Sequence, residues 1–126
     1  MSEENKISIK YLQLLVLQES ENNTIQKLDS NIYNSISKFI GDLKNEEADG
    51  IDAKIKNTLL DMITELASFL LKLRLEKASL NDSDHSVLVD VEKYILDSQK
   101  QMEERKDMVL SRILDGKSEL LRSNDQ

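Results

Sequence analysis

A helical repeat of apolar side chains runs without a break through the middle of the chain, which has no proline and only three glycines. Its members are Ile51, Ile55, Leu59, Met62, Ile63, Leu66, Phe69, Leu70 and Leu73. Apolar residues spaced by three and four positions lie on one face of an α-helix, and Pro and Gly are the residues that most often interrupt one. The sequence therefore predicts one long helix from about Ile51 to Ala78, roughly 40 Å long at ~1.5 Å per residue.

Two further helices are predicted before this one. The first runs from about Ser8 to Ser20, and Leu14 and Leu17 widen its apolar arc, which predicts burial on most sides. The second begins near the cap candidates Asp29 and Ser30, whose side chains can accept from free N–H groups of the first turn. Its apolar stripe consists of Ile32, Tyr33, Ile36, Phe39, Ile40 and Leu43.

The fourth predicted helix runs from about Val87 to Gly116 and has the thinnest apolar stripe. Ser98 and Arg105 occupy stripe positions at which a packed core would have apolar side chains. Two arrangements explain this pattern: a partner covers the stripe, or the helix runs past the core into solvent. The candidate partner contacts are Tyr94, Met102 and Met108. Packing within the core is the alternative for each of them.

These patterns predict an all-α fold, an elongated bundle of about four helices, two of them long. We expect a single helical domain over residues 1–116 and a frayed tail over residues 117–126, since glycine at 116 is a typical helix stop. The predicted core residues are Leu28, Ile32, Tyr33, Ile36, Phe39, Ile40, Leu59, Ile63, Leu66 and Leu70.

The charge of the chain argues against one class of partner. Its net charge is −7 and its isoelectric point is about 4.8, whereas a protein that binds duplex DNA on its own normally carries a basic patch. We therefore expect no strong direct binding of nucleic acid. No apolar run approaches the ~20 residues of a membrane span, and the N-terminal residues are unlike a signal peptide. Together with the absence of cysteine, this predicts a cytoplasmic protein with no membrane association.

Residues for catalysis or metal binding are sparse. His85 is the only histidine and lies in a polar stretch, and there is no cysteine. The adjacent acidic pairs at 46–47 and 103–104 point about 100° apart on a helix, so neither forms an acid–base pair. No glycine-rich phosphate-binding motif occurs. We expect a protein that is not an enzyme, with no cofactor and no metal.

Two cations, Arg74 and Lys77, lie among leucines near the end of the long helix. Arg74 follows Leu70 by four residues and is therefore close to the core face. We expect its side chain to be at least half buried and to bind a carboxylate or helix-end carbonyls near the first loop, with Glu19 or Glu21 as the carboxylate. Lys77 is nearer the helix end, where a cation favours the negative end of the helix dipole.

Two stretches resemble the helical domain of GINS subunits: ESENNTIQKLDSNIYNSISKFIGDL at 19–43 and LLKLRLEKA at 70–78. In that family an acidic residue closes the first helix, and a short loop leads to a leucine-containing motif that ends in an aromatic pair. An Arg-x-x-Lys signature follows late in the long helix. The matching residues here are Glu19, Leu28, Ile32, Tyr33, Arg74 and Lys77. Ile32 stands where the family has an aromatic residue, and Asp29 stands where it has a proline.

The resemblance implies an archaeal GINS-type subunit with its helical domain first, and a structural anchor formed by Glu19, Arg74 and Lys77. It also implies a non-enzymatic scaffold in DNA replication, which would bind other GINS-like subunits, the MCM helicase and a RecJ-like protein. Such a subunit would be part of an oligomer. The alternative is a helical adaptor or homodimeric interaction protein unrelated to replication.

Overall fold

A computed structural model describes residues 7–80 and 83–116 of the chain. These residues form four α-helices, α1 (Ile9–Glu21), α2 (Ile32–Asn45), α3 (Ile51–Ala78) and α4 (Asp90–Leu114), with one short 3-10 helix at His85–Val87. The predicted all-α class is therefore confirmed. None of the helices described is both long and apolar enough to cross a membrane.

The chain divides into two compact units, Met1–Glu92 and Lys93–Gln126. Helix α4 begins in the first unit and continues into the second. The single domain predicted for residues 1–116 stays a prediction, and the predicted tail at 117–126 lies outside the described residues.

The core of the first unit is formed by one face of each of α1, α2 and α3. Leu12 of α1, Ile32 of α2, and Ile63 and Leu70 of α3 are almost completely buried. Every core residue predicted from the sequence lies in this cluster or packs against it. The strongest pattern is that of α2, whose buried residues Ile32, Ile36 and Leu43 repeat at helical spacing.

The predicted burial of α1 on most sides was wrong. Leu14 and Leu17 are about half exposed, so α1 buries one face rather than most of its surface. On α3, Ile51, Ile55 and Phe69 belong to the apolar repeat, yet each is exposed. The buried residues of α3 are Ile63, Leu70, Arg74 and Ala78, so the first turns of the helix, with Ile51 and Ile55, lie outside the core. Phe69 precedes the buried Leu70 but points about 100° away from it around the helix.

The start of α2 also differs from the prediction. Neither Asp29 nor Ser30 caps the helix, and its N-cap is Asn31, which makes no side-chain capping bond. The Asp29 carboxylate instead accepts from the backbone N–H of Asn31 at 3.2 Å, which forms a turn of the Asx type. Helix α3 begins after Gly50, whose φ of 59° lies in the left-handed region that favours glycine.

Candidate functional site: a buried ion-pair cluster

The Arg74 side chain lies at the centre of a buried polar cluster in the first unit and is fully buried. Its Nε and Nη2 donate to the two carboxylate oxygens of Glu92 at 2.6 and 3.0 Å. Its Nη1 donates to Glu19 Oε1 at 3.0 Å and to the carbonyl of Gln26 at 2.5 Å. Its Nη2 also donates to the carbonyl of Val87 at 3.3 Å. All five N–H groups of the guanidinium therefore have acceptors.

Lys77 extends the cluster towards the loop after α1. Its Nζ donates to Glu19 Oε2 at 2.7 Å, to the backbone carbonyl of Glu19 at 2.6 Å and to that of Thr24 at 2.9 Å. The same Glu19 oxygen accepts from the backbone N–H of Gln26 at 3.2 Å. Lys77 thus binds the end of α1, while the carboxylate of Glu19 holds the loop that follows.

Glu92 connects the cluster to the first turn of α4. Its Oε1 accepts from the backbone N–H of Val89 at 3.0 Å, and its Oε2 accepts from the hydroxyl of Tyr33 at 2.5 Å. An acidic residue at the third helical position that binds back to the residue before the helix is one half of a capping box. Glu92 therefore caps α4 and binds Arg74 and Tyr33 at the same time.

The cluster balances its charges in a buried environment. Two cations, Arg74 and Lys77, face two carboxylates, Glu19 and Glu92, in three ion pairs of 2.6 to 3.0 Å. The side chains of Arg74, Glu19 and Glu92 are fully buried, and that of Lys77 is 13% exposed. No buried side-chain N or O atom among the described residues lacks a hydrogen-bond partner. Burial of these charges costs free energy that the ion pairs and hydrogen bonds must offset together.

Two pKa values are displaced by this environment. Burial raises the pKa of Tyr33 far above its ordinary value of 10.0, and its hydrogen bond to Glu92 raises it further. Burial alone would lower the pKa of Arg74, but its bonds to the carboxylates of Glu92 and Glu19 outweigh that effect and raise it. Tyr33 is therefore a permanent donor and Arg74 a permanent cation over the physiological pH range.

The cluster is suited to holding chain segments together. It joins the last turn of α1, the loop after α1, the start of α2, the end of α3 and the first turn of α4. Its carboxylates already accept from cations, and Arg74 does not titrate near neutral pH. Within the described part of the chain, no three His, Cys, Asp or Glu side chains gather in a way that would hold a metal ion.

Sequence reasoning located one half of this cluster. It predicted that Arg74 is buried and that Glu19 is a candidate partner, and the structure shows both; Glu21 is exposed and is not a partner. Lys77 lies in the last turn of α3, as expected, and its Nζ also binds Glu19 and Thr24 across the fold, which agrees with the structural anchor that the resemblance implies. The contacts reach 53 to 58 residues back along the chain, which local helix patterns cannot reveal.

Glu92 was missed by the sequence analysis. The usual signature of a capping box is Ser or Thr followed three residues later by Glu. Here the residue at the first of these positions is Val89, so only the acidic half of the signature is present. The signal that was available is a glutamate in the first turn of a helix that directly follows the apolar residues 87–89.

A separate feature of the first unit is an exposed apolar surface on α1 and α3, here called the α1–α3 face. Gln13 lines two shallow grooves of this face, one with Leu14 and Leu17 and the other with Met62 and Phe69. The four apolar side chains are 37 to 50% exposed. An apolar surface of this kind commonly marks a site of protein–protein contact.

The predicted partner contacts on α4 are all exposed. Tyr94 is 73% exposed, Met102 is 64% exposed and Met108 is 47% exposed. They are therefore not part of the core that the described residues form, and their part in partner binding stays a prediction. Comparison with models of known protein families, with curated proteins and with solved structures finds no match for this chain.

Proposed function

We propose that this protein is a non-enzymatic scaffold subunit of the GINS type, which links components of the replicative helicase through helix–helix packing. The observation that carries the proposal is the bonding of Glu19 to Arg74 and Lys77. Glu19 belongs to the first stretch that resembles GINS subunits, and the two cations form the Arg-x-x-Lys of the second. Three of the six residues that carry the resemblance are therefore joined by ion pairs.

Surfaces for partner subunits support the same proposal. The α1–α3 face leaves Leu17 and Phe69 about half exposed. A scaffold acts through such surfaces and needs no reacting group. The proposed partners are other GINS-like subunits, the MCM helicase and a RecJ-like protein, with no strong binding of nucleic acid by this chain alone.

The proposal is tested by identifying the proteins that bind this chain in its own cells. The tagged chain is recovered from its own cells, the native mass of the complex is measured and its members are identified by mass spectrometry. A GINS-like subunit and MCM are the expected members. If neither a GINS-like subunit nor MCM is recovered, and neither binds the purified chain, the proposal is wrong. A helical adaptor unrelated to replication is then the better hypothesis.

A pair of variants assigns the binding surface. Phe69→Glu places a charge on the α1–α3 face at an exposed position, so the fold should be retained. Thr64→Glu makes the same kind of change at an exposed position on the other side of α3. We expect Phe69→Glu to weaken binding of the GINS-like subunit at least about tenfold, because a charge in an apolar contact is costly. Thr64→Glu should bind as the wild type does.

A further inference from the structure

Helix α4 has an apolar stripe of which Val91, Met102 and Ile113 are exposed among the described residues, while Ile95 and Val109 are partly buried. Ile95, Met102 and Val109 follow one another at intervals of seven residues, so they lie in one line along the helix. Met102, in the middle, is 64% exposed. Val91 and Ile113 continue the line at its two ends and are about half exposed.

The stripe is symmetric about Met102. Val91 and Ile113 lie eleven positions before and after it, and Ile95 and Val109 lie seven positions before and after it. The side chains at the edges of the stripe match as well. Tyr94 and Leu110 lie eight positions away on either side, one at each edge. A helix that pairs with an antiparallel copy of itself requires this mirrored order, whereas a helix that binds a different protein does not.

We propose that α4 binds the α4 helix of a second copy of this chain, antiparallel, about a two-fold axis at Met102. In that arrangement Met102 faces Met102 of the second copy, and Ile95 of each copy faces Val109 of the other. The contact is isologous, because the same surface is used twice. The pairing involves only this chain and does not rest on the proposed role in replication.

The charged residues of the stripe select the antiparallel direction. Arg105 lies at a stripe position on each copy. A parallel pair in register would set Arg105 against Arg105 and bring like charges together. The antiparallel pair sets it against Gln99 of the other copy, three positions on the other side of the axis, which is neutral and can accept a hydrogen bond. The antiparallel pair also opposes the two helix dipoles.

Single cysteines give a direct test, because the chain has no cysteine of its own. Two helices that pack 8–10 Å apart, each with Cα atoms at a radius of about 2.3 Å, bring facing Cα atoms to roughly 4–5 Å, which is near the range of a disulfide. Met102→Cys should therefore form a disulfide-linked dimer of the full chain under mild oxidation. Met108→Cys, about 120° around the helix, should remain mostly unlinked. Equal linkage of both variants, or linkage of neither, overturns the proposal.

The mass of the chain in solution provides the second test. Light scattering should give twice the chain mass of 14.5 kDa for the wild type. Met102→Glu sets two carboxylates against each other and should raise the dimer dissociation constant by about 100-fold or more. Met108→Glu makes the same change at an exposed methionine outside the stripe and should leave the dimer intact. A wild-type chain that is monomeric at 100 µM, or a Met102→Glu dimer of unchanged affinity, contradicts the proposal whatever partners the chain binds in cells.

Discussion

Glu92 binds Arg74 side-on, with its two carboxylate oxygens 2.6 Å from Nε and 3.0 Å from Nη2. This two-point geometry is available to arginine and not to lysine, because only the guanidinium presents parallel N–H groups in one plane. The pair connects the end of α3 to the first turn of α4 across a link of 18 residues. The start of α4 is therefore fixed by a side chain from the preceding helix.

The first prediction concerns the removal of the central cation. Arg74→Leu leaves the carboxylates of Glu19 and Glu92 buried without their main partner, and we expect it to lower the free energy of unfolding by about 3–5 kcal/mol. Urea unfolding followed by circular dichroism measures the change. Lys72→Leu, at an exposed position two residues earlier on α3, is the control and should shift stability by about 0.5 kcal/mol or less. Equal stability of Arg74→Leu and wild type would show that the cluster is dispensable.

A second prediction isolates the charge of Glu92. Glu92→Gln keeps the shape of the side chain but gives the buried cluster a net positive charge, and we expect a loss of about 2–3 kcal/mol. Glu103→Gln, also on α4, removes an ion pair to Lys106 whose side chains are 64 and 65% exposed, and should cost at most about 0.5 kcal/mol. Equilibrium unfolding of the two variants compares them directly. Similar losses of unfolding free energy for both variants would mean that the buried ion pair of Glu92 stabilises the fold no more than an exposed one does.

The third prediction concerns the Tyr33 hydroxyl. It donates to Glu92 at 2.5 Å, and Tyr33→Phe removes this bond to a charged acceptor, so we expect a loss of about 1.5–3 kcal/mol at neutral pH. Tyr94→Phe deletes the same atom from a side chain that is 73% exposed and should be nearly neutral. Chemical denaturation at pH 7 distinguishes the two. A stability of Tyr33→Phe equal to that of Tyr94→Phe would contradict the assigned role.

The raised pKa of Tyr33 also predicts a dependence on alkaline pH. In the folded protein the hydroxyl keeps its proton above pH 10, whereas the unfolded chain loses it near its ordinary pKa of 10.0. The stabilisation is therefore complete below about pH 10 and declines as the pH rises, by up to about 1.36 kcal/mol per pH unit. Unfolding free energies measured from pH 8 to pH 11 should fall more steeply for wild type than for Tyr33→Phe. Parallel curves would rule out a raised pKa.

A fifth prediction separates Lys77 from the dipole of its own helix. Its Nζ binds Glu19 and Thr24, so Lys77→Met should loosen the loop after α1 and cost about 1–3 kcal/mol. Hydrogen exchange should become faster at the N–H of Gln26, which the Glu19 carboxylate holds. If Lys77 acted only on the helix dipole, the cost would be about 0.3–1 kcal/mol and exchange in the loop would not change.

Part of the cluster was predictable because some of its signals are local. Four positions after Leu70, a helical residue returns to the core face, which predicted the burial of Arg74. The choice of Glu19 rather than Glu21 as its partner depends on which side of α1 packs on α3, since the two residues point in different directions. Glu92 and the carbonyls of Gln26 and Val87 join the cluster through the path of the loops, and no pattern in the sequence fixes that path.

The sequence by itself determined that the chain is helical, where α3 begins and ends, and which residues of α2 face the core. These properties depend on the spacing of apolar residues and on helix breakers, both of which act over a few positions. Only the tertiary structure decided how much of each apolar stripe is covered and which charges meet. The buried fraction of a stripe depends on the lengths and placement of the neighbouring helices. Arg74 is 18 residues from Glu92 and 55 residues from Glu19 in the sequence, so these side chains meet only when the chain folds.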